Sequence, residues 1–151
     1  MNHKLFMKEA LSLAKLASKQ NEVPVGSVVV LENEIIGKGY NQNIASNDPT
    51  AHAEIIALKQ AGKKTNNYRL VDSVLYTTLE PCLMCVGAII HARINKVFFS
   101  ASDPKSGFLV GKETILSSDL LNHKFTYEGG LLEKESSDLL KSFFLRRRVK
   151  S

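Results

Sequence analysis

Two short segments, each placed where a helix is predicted to begin, constrain this chain more than any other feature. The first is His52-Ala53-Glu54, and the second is Pro81-Cys82-Leu83-Met84-Cys85, which holds both cysteines of the chain. Cysteines at positions i and i+3 share one helical face, so both sulfurs can reach one ion. Thiolate and imidazole ligands suit zinc, and a helix N-terminus stabilises the thiolates. We therefore predict one zinc ion per chain, held by His52, Cys82 and Cys85.

The number of ligands decides what such a zinc could do. A closed structural site needs four protein ligands, and the sequence offers no third cysteine. His91 lies roughly 13 Å beyond Cys82 along the same predicted helix, too far to bind the same ion. Three ligands with one open position are typical of a catalytic zinc, beside which Glu54 is placed as a general acid and base. A structural zinc site is the alternative interpretation.

The rest of the pattern predicts strands alternating with helices. Apolar residues at helical spacing predict a first helix over residues 3–20, and β-branched runs predict a hairpin of strands at 25–31 and 35–40. Asp48 or Thr50 is expected to cap a helix that runs from about Ala51 to Gly62. Further strands are expected at 74–78, 96–100 and 124–128, with helices at 81–92 and after residue 132. This order predicts one domain over residues 1–151, an α/β fold built as a three-layer α/β/α sandwich.

The net charge, and the aromatic and basic residues near the end of the chain, indicate what kind of partner the protein could bind. The formal net charge of +5 suits a polyanion without proving one. Phe143 and Phe144 precede the basic run 146–148, and aromatic side chains beside basic ones can stack on unpaired bases. A solvated helix end is the alternative interpretation, and one of the two phenylalanines is expected to lie in the core. We see no signal peptide or membrane span, so we expect a cytoplasmic protein without a membrane partner.

These motifs carry a resemblance. His-x-Glu followed by Pro-Cys-x-x-Cys is similar to the signature of zinc-dependent nucleobase deaminases of the cytidine/deoxycytidylate deaminase superfamily. The wider sequence resembles the bacterial tRNA-specific adenosine deaminases over nearly the whole chain. That second resemblance is carried by Asn41 and by residues 22–26, 48–54, 67–70, 78–82, 90–94, 103–107 and 143–148.

The resemblance implies a reaction, a fold and a set of roles. The reaction is hydrolytic deamination of the wobble adenosine to inosine in the anticodon stem-loop of an arginine tRNA. The fold is a cytidine deaminase-like, five-stranded mixed sheet, and the assembly is a homodimer. Zinc is assigned to His52, Cys82 and Cys85, and proton transfer is assigned to Glu54. The residues that the resemblance places at the RNA are Asn41, Asp103, Phe144, Arg147 and Arg148.

Alternatives accompany these assignments. Asn41 has a structural alternative as a turn residue, and Asp103 has one as the cap of its own loop. A free-base or nucleoside deaminase acting on guanine or cytosine would share the zinc site but would not need the terminal arginines. A zinc-stabilised RNA-binding module would not need Glu54. Residues 106–110 are bulkier than the family pattern leads us to expect.

Overall fold

The computed structural model describes the backbone of residues 2–150 and the side chains of residues 2–148. In this part of the chain the helices are α1 (His3–Lys19), α2 (Asn43–Ser46), α3 (Ala53–Thr65), α4 (Leu83–Ala92), α5 (Glu113–Leu116) and α6 (Glu133–Lys150). The strands are β1 (Gly26–Leu31), β2 (Glu34–Tyr40), β3 (Val74–Leu79), β4 (Lys96–Ala101) and β5 (Thr126–Glu128). None of the described helices is long and apolar enough to cross a membrane.

The five strands form one mixed sheet in the order β2-β1-β3-β4-β5. Strand β1 runs antiparallel to both β2 and β3, whereas β3, β4 and β5 are parallel. The predicted hairpin turns at Glu32 and Asn33, whose φ angles are 50° and 64°. Positive φ at both central residues matches the right-handed twist of the flanking strands. The five-stranded mixed sheet implied by the resemblance is confirmed.

Helices cover both faces of this sheet. Helices α1 and α6 pack on one face, and α3 packs on the other with α4 beside it. Val28 and Val30 of β1 are buried with Phe6 and Met7 on the α1 side, and Val29 between them is buried on the α3 side. Such a strand reads as a continuous apolar run because its two faces are both covered. The predicted three-layer α/β/α architecture is confirmed.

The approach of α3 to β2 is close enough to require a glycine. A Cβ at Gly39 would overlap the carbonyl oxygen of Ala53 and lie 2.7 Å from the backbone nitrogen of Ala57. The first turn of α3 therefore rests directly on the strand. This contact fixes where the residues that precede the helix are placed.

Several predicted boundaries were wrong by a few residues. Helix α3 begins at Ala53, continues past Gly62 and ends at Thr65, and the next residue, Asn66, has a left-handed backbone. The Asp48 carboxylate accepts hydrogen bonds from the backbone nitrogen and the hydroxyl of Thr50, at 2.8 and 2.7 Å, so it closes a local turn instead of capping the helix. The short helices α2 and α5 were not predicted, because four residues carry too little periodicity.

Candidate active site

The predicted zinc ligands meet at the starts of two helices. His52 immediately precedes α3, Cys82 immediately precedes α4, and Cys85 lies in the first turn of α4. The Nδ1 atom of His52 lies 3.6 Å from the sulfur of Cys82 and 3.5 Å from the sulfur of Cys85. One ligand atom from each residue lies within 4.8 Å of the other two.

This spacing fits a zinc ion. Tetrahedral bonds of about 2.0 Å to nitrogen and about 2.3 Å to sulfur place the two kinds of ligand atom about 3.5 Å apart. The two nitrogen–sulfur distances match that value. Among the described side chains no fourth member joins the group, so the set fits one zinc per chain with a coordination position left for another ligand.

The remaining histidines lie elsewhere. His91 borders an open groove at the far end of α4, in agreement with the distance argument from the sequence. His3 pairs with the hydroxyl of Tyr76 at 2.6 Å, and His123 pairs with the carbonyl of Ile94 at 2.7 Å. Each of these histidines therefore belongs to a different part of the molecule.

The three ligand side chains are joined by hydrogen bonds that shift their pKa values. A hydrogen bond from the Cys85 thiol, opposed by burial and helped by His52, lowers the pKa of Cys82 to about 4. The pKa of Cys85 is raised, first because its thiol donates to Cys82 and then because it is buried. The hydrogen bond to Cys82 also raises the pKa of His52. Zinc requires both sulfurs as thiolates and a neutral imidazole, so metal binding displaces these protons.

Glu54 is a buried carboxyl beside the ligands. The residue is only 4% exposed, and burial raises its pKa to about 7. It lines the same cavity as His52 and Cys82 but stands outside the group of close ligand atoms. A carboxyl group with a pKa near neutrality can both accept and release a proton at physiological pH.

The cavity itself is small, about 220 Å³, and it brings together residues that are distant in the sequence. Asn41 follows β2, Cys82 follows β3, and Asp103 follows β4. Because β3 and β4 are parallel, their carboxyl ends meet at one edge of the sheet, where α/β folds commonly bind ligands. A larger groove of about 850 Å³ lies against α3 and α4 and includes neither Glu54 nor the zinc-ligand group.

Asn41 caps a helix and also borders the cavity. Its Oδ1 atom accepts a hydrogen bond from the backbone nitrogen of Ala53 at 2.8 Å, so it supplies the cap that the sequence suggested for Asp48 or Thr50. Because that partner is a donor, the accepting atom must be the amide oxygen. No hydrogen bond from the amide nitrogen of this buried side chain is found among the described residues.

Asp103 caps its own loop and also borders the cavity. One carboxylate oxygen accepts hydrogen bonds from the backbone nitrogens of Lys105 and Ser106, at 3.2 and 3.1 Å, so the residue does cap its own loop. The same side chain is half-buried and borders the cavity. The bulky segment that follows is used in packing, since Leu109 is fully buried in the core.

Helix α6 carries one buried phenylalanine and, beside it, the exposed residues that the resemblance places at the RNA. Phe143 is 5% exposed and belongs to the core, whereas Phe144 is 43% exposed. The guanidinium of Arg147 lies 5.3 Å from the centre of the Phe143 ring, and Arg148 is exposed. Phe144, Arg147 and Arg148 lie on the surface and do not line the cavity.

Two buried glutamates near the cavity were missed at the level of sequence. Glu22 accepts hydrogen bonds from the backbone nitrogens of Ile44 and Ala45, at 3.0 and 2.8 Å, and so holds the start of α2. Glu80 accepts three backbone hydrogen bonds from the segment after β4. The available signal was an acidic residue beside an apolar one: Glu22 precedes Val23, and Glu80 follows Leu79 at the end of β3.

Comparison with known proteins agrees with this geometry. The sequence profile of the cytidine and deoxycytidylate deaminase zinc-binding region matches residues 1–101. A tRNA-specific adenosine deaminase of Haemophilus influenzae is 47% identical over 94% of this chain and 83% of its own. A structure solved in a study of tRNA:A34 deaminases matches with a TM-score of 0.86 and 39% identity, over 90% of this chain and 99% of that one. Guanine deaminase from Bacillus subtilis matches with a TM-score of 0.65 and 45% identity, over 68% of this chain and 66% of that one.

Proposed function

This chain belongs to the zinc-dependent cytidine and deoxycytidylate deaminase family, and on that premise we propose that it deaminates the wobble adenosine of a transfer RNA to inosine. The observation that carries the proposal is the cavity that Glu54 and Asn41 line together with His52 and Cys82, two members of the zinc-ligand group. Similarity to a tRNA-specific adenosine deaminase over nearly the whole chain supports the choice of substrate. An arginine tRNA is the more specific prediction.

The ligand residues and Glu54 have separate roles in this reaction. His52, Cys82 and Cys85 would hold zinc, which in such sites activates water for attack on C6 of adenine. The Glu54 carboxylate takes one proton from the attacking water and delivers it to the ring nitrogen beside C6, and it then carries the second proton of that water to the departing amino group. Water and adenosine thereby give inosine and ammonia. Burial of Glu54 supports this role because it raises the pKa of the carboxyl group to about 7. A group with such a pKa can both accept and release a proton near neutral pH.

Asn41 and Asp103 orient the nucleotide. The oxygen of Asn41 is engaged by Ala53, so its amide nitrogen is the atom left to donate to an acceptor on the flipped base. Asp103 keeps one oxygen for its own loop and offers the other to the sugar. Outside the cavity, Phe144, Arg147 and Arg148 contact the anticodon loop by stacking and phosphate pairing.

A free guanine deaminase is the second candidate function. The observation that favours it is the likeness to the Bacillus subtilis guanine deaminase, which covers a smaller share of this chain. The deciding experiment incubates the zinc-loaded protein with an anticodon stem-loop RNA and, separately, with adenosine, cytidine and guanine. Inosine formed in RNA, with no turnover of the small molecules, supports the proposal. Turnover of guanine without RNA editing would replace it.

We also infer a homodimer and a cytoplasmic, single-domain protein. The open groove against α3 and α4 is bordered by Ala88 and by Tyr68, which is 70% exposed. A two-fold contact uses the same patch on both copies, and this groove supplies an apolar one. Ala88→Arg should convert a dimer to a monomer in analytical ultracentrifugation, and an unchanged sedimentation coefficient would move the interface elsewhere.

A further inference from the structure

The side chain of Glu80 is buried at the end of β3 and holds both ends of one loop. The residue is 4% exposed. Its Oε1 atom accepts from the backbone nitrogen of Asp103 at 3.0 Å, and its Oε2 atom accepts from those of Leu109 and Val110, both at 2.9 Å. No ion pair found among the side chains of residues 2–148 includes Glu80. Backbone amides alone therefore satisfy this carboxylate, and they all belong to segment 103–110.

A glycine makes this arrangement possible. A Cβ at Gly107 would overlap the carboxyl carbon of Glu80 and lie 2.6 Å from its Oε1 atom. The same Cβ would lie 2.6 Å from the carbonyl oxygen of Asp103, which accepts a hydrogen bond from the Gly107 nitrogen at 2.8 Å. Segment 103–110 can fold over the carboxylate only because this position has no side chain.

The segment held in this way forms one wall of the active-site cavity. Asp103 and Ser106 border the cavity together with His52 and Glu54. Glu80 also borders the cavity and stands two residues before Cys82, so one short stretch of chain carries both a zinc ligand and the carboxylate that holds segment 103–110. A shift of segment 103–110 would move Asp103 relative to the ligands without breaking any contact made by the ligands themselves.

We propose that Glu80 is a positioning residue, which holds segment 103–110 in the conformation that presents Asp103 to the bound nucleotide. It acts through three backbone hydrogen bonds and through its close contact with Gly107. The proposal rests on the proposed function for the nature of the substrate, whereas the contact itself can be tested without any substrate.

The first test is Glu80→Gln in the full-length, zinc-loaded protein. Glutamine keeps the shape but replaces one accepting oxygen with a donor, so at least one of the three amides loses its partner. Loss of one charge-assisted hydrogen bond corresponds to about a tenfold change in an equilibrium constant. Amide hydrogen exchange at residues 103, 109 and 110 should therefore accelerate about tenfold, and KM for the stem-loop RNA should rise by a similar factor while kcat changes less. Zinc content should be unchanged.

A matched control is available on strand β2. The Glu34 side chain is 70% exposed and its carboxylate pairs with the Lys64 ammonium at 3.2 Å. No hydrogen bond or ion pair found among the described residues joins Glu34 to segment 103–110. Glu34→Gln should leave KM and the exchange of residues 103, 109 and 110 at the wild-type values.

A double-mutant cycle tests whether Glu80 and Gly107 act together. Gly107→Ala should raise KM in the same direction, and the double variant should lose less than the product of the two single effects. Gly87→Ala is the glycine control, since a Cβ there meets no atom within 4 Å. Should Glu80→Gln fail to fold, Gly107→Ala carries the same exchange and kinetic measurements.

Two results would overturn the inference: wild-type exchange and KM in zinc-loaded Glu80→Gln, or independent, fully multiplicative effects in the cycle. A wild-type protein that deaminates guanine and not RNA would instead refute the proposed function. The exchange measurement at residues 103, 109 and 110 would still decide the role of Glu80 in that case.

Discussion

Phe143 and Phe144 are adjacent in sequence but differ in exposure, and this difference predicts opposite mutant phenotypes. Phe143 is 5% exposed, so truncation removes nearly the whole burial of the ring and leaves a cavity. We expect Phe143→Ala to lower the free energy of unfolding by about 3 kcal/mol or more. Phe144 is 43% exposed, so only roughly half of its surface is buried in the folded protein. Phe144→Ala should therefore lower the free energy of unfolding by about 1 kcal/mol.

The direct effect on RNA affinity should be larger for replacement of Phe144 than for replacement of Phe143. If the Phe144 ring stacks on a base of the anticodon loop, its removal should weaken binding by about 1 to 3 kcal/mol, or roughly five- to 150-fold. The two rings contact each other edge to face at 5.4 Å, and Arg147 lies over Phe143. Phe143→Ala therefore disturbs the RNA surface indirectly, and alanine variants alone do not separate the two roles.

Leucine variants separate them. Phe143→Leu keeps most of the buried volume and should leave RNA affinity near the wild-type value, with a loss of stability below about 1.5 kcal/mol. Phe144→Leu should keep stability and lose affinity because leucine has no ring to stack. The measurements are urea unfolding and fluorescence anisotropy with a labelled stem-loop at fixed salt. Equal RNA affinity for Phe144→Leu and wild type would refute the stacking role, and equal losses of stability for the two alanine variants would refute the assignment of Phe143 to the core.

Four further outcomes follow from the site and its surroundings. Glu54→Ala should retain zinc but lose about 10²-fold or more in single-turnover rate, and near-normal turnover by the zinc-loaded variant would contradict its role as proton carrier. Cys82→Ala should lose zinc by elemental analysis, and the zinc affinity of the wild type should fall as pH falls, because protons then compete for ligands that bind zinc only when deprotonated; full occupancy in the variant would exclude Cys82 as a ligand. Asp103→Asn keeps an acceptor for the loop, so it should alter the ratio of RNA to DNA activity more than RNA activity alone, and equal losses on both substrates would argue against contact with the sugar. Arg147→Gln should reduce the salt dependence of RNA binding by about 0.7 in the slope of log affinity against log salt, whereas Arg146→Gln, which breaks a 2.7 Å hydrogen bond to the Ser18 hydroxyl, should mainly reduce stability; the opposite pattern would exchange the roles of the two arginines.

The sequence predicted those elements whose pattern of apolar residues lies within the element itself. Apolar periodicity predicted α1 and the β1–β2 hairpin within a residue or two, because each pattern lies within the element that it describes. The zinc-ligand group was also predictable, since spacing on one helix and the absence of a fourth ligand can be counted. The meeting of His52 with the two cysteines agrees with that expectation.

The features that the sequence did not predict depend on partners that are distant in the chain. The start of α3 was misplaced because its cap comes from Asn41, which lies 12 residues before the capped nitrogen and follows another strand. Glu80 gave no signal of its own, since its partners lie up to 30 residues away. Nothing in the local pattern distinguished Phe143 from Phe144, because tertiary packing decides which of the two rings is covered.

The separation of the zinc ligands along the chain has a consequence for metal affinity. His52 and Cys85 are 33 positions apart, yet the folded protein already holds their ligand atoms 3.5 Å from each other. Closing a loop of that length in a flexible chain costs about 3 to 4 kcal/mol of conformational entropy. Folding of the sheet and of the helices that follow β2 and β3 supplies this closure, because it places His52 and Cys85 at adjacent helix starts. The same three residues in an unstructured peptide should therefore bind zinc several hundredfold more weakly, and selective loosening of the α3 and α4 starts should release metal before the sheet itself unfolds.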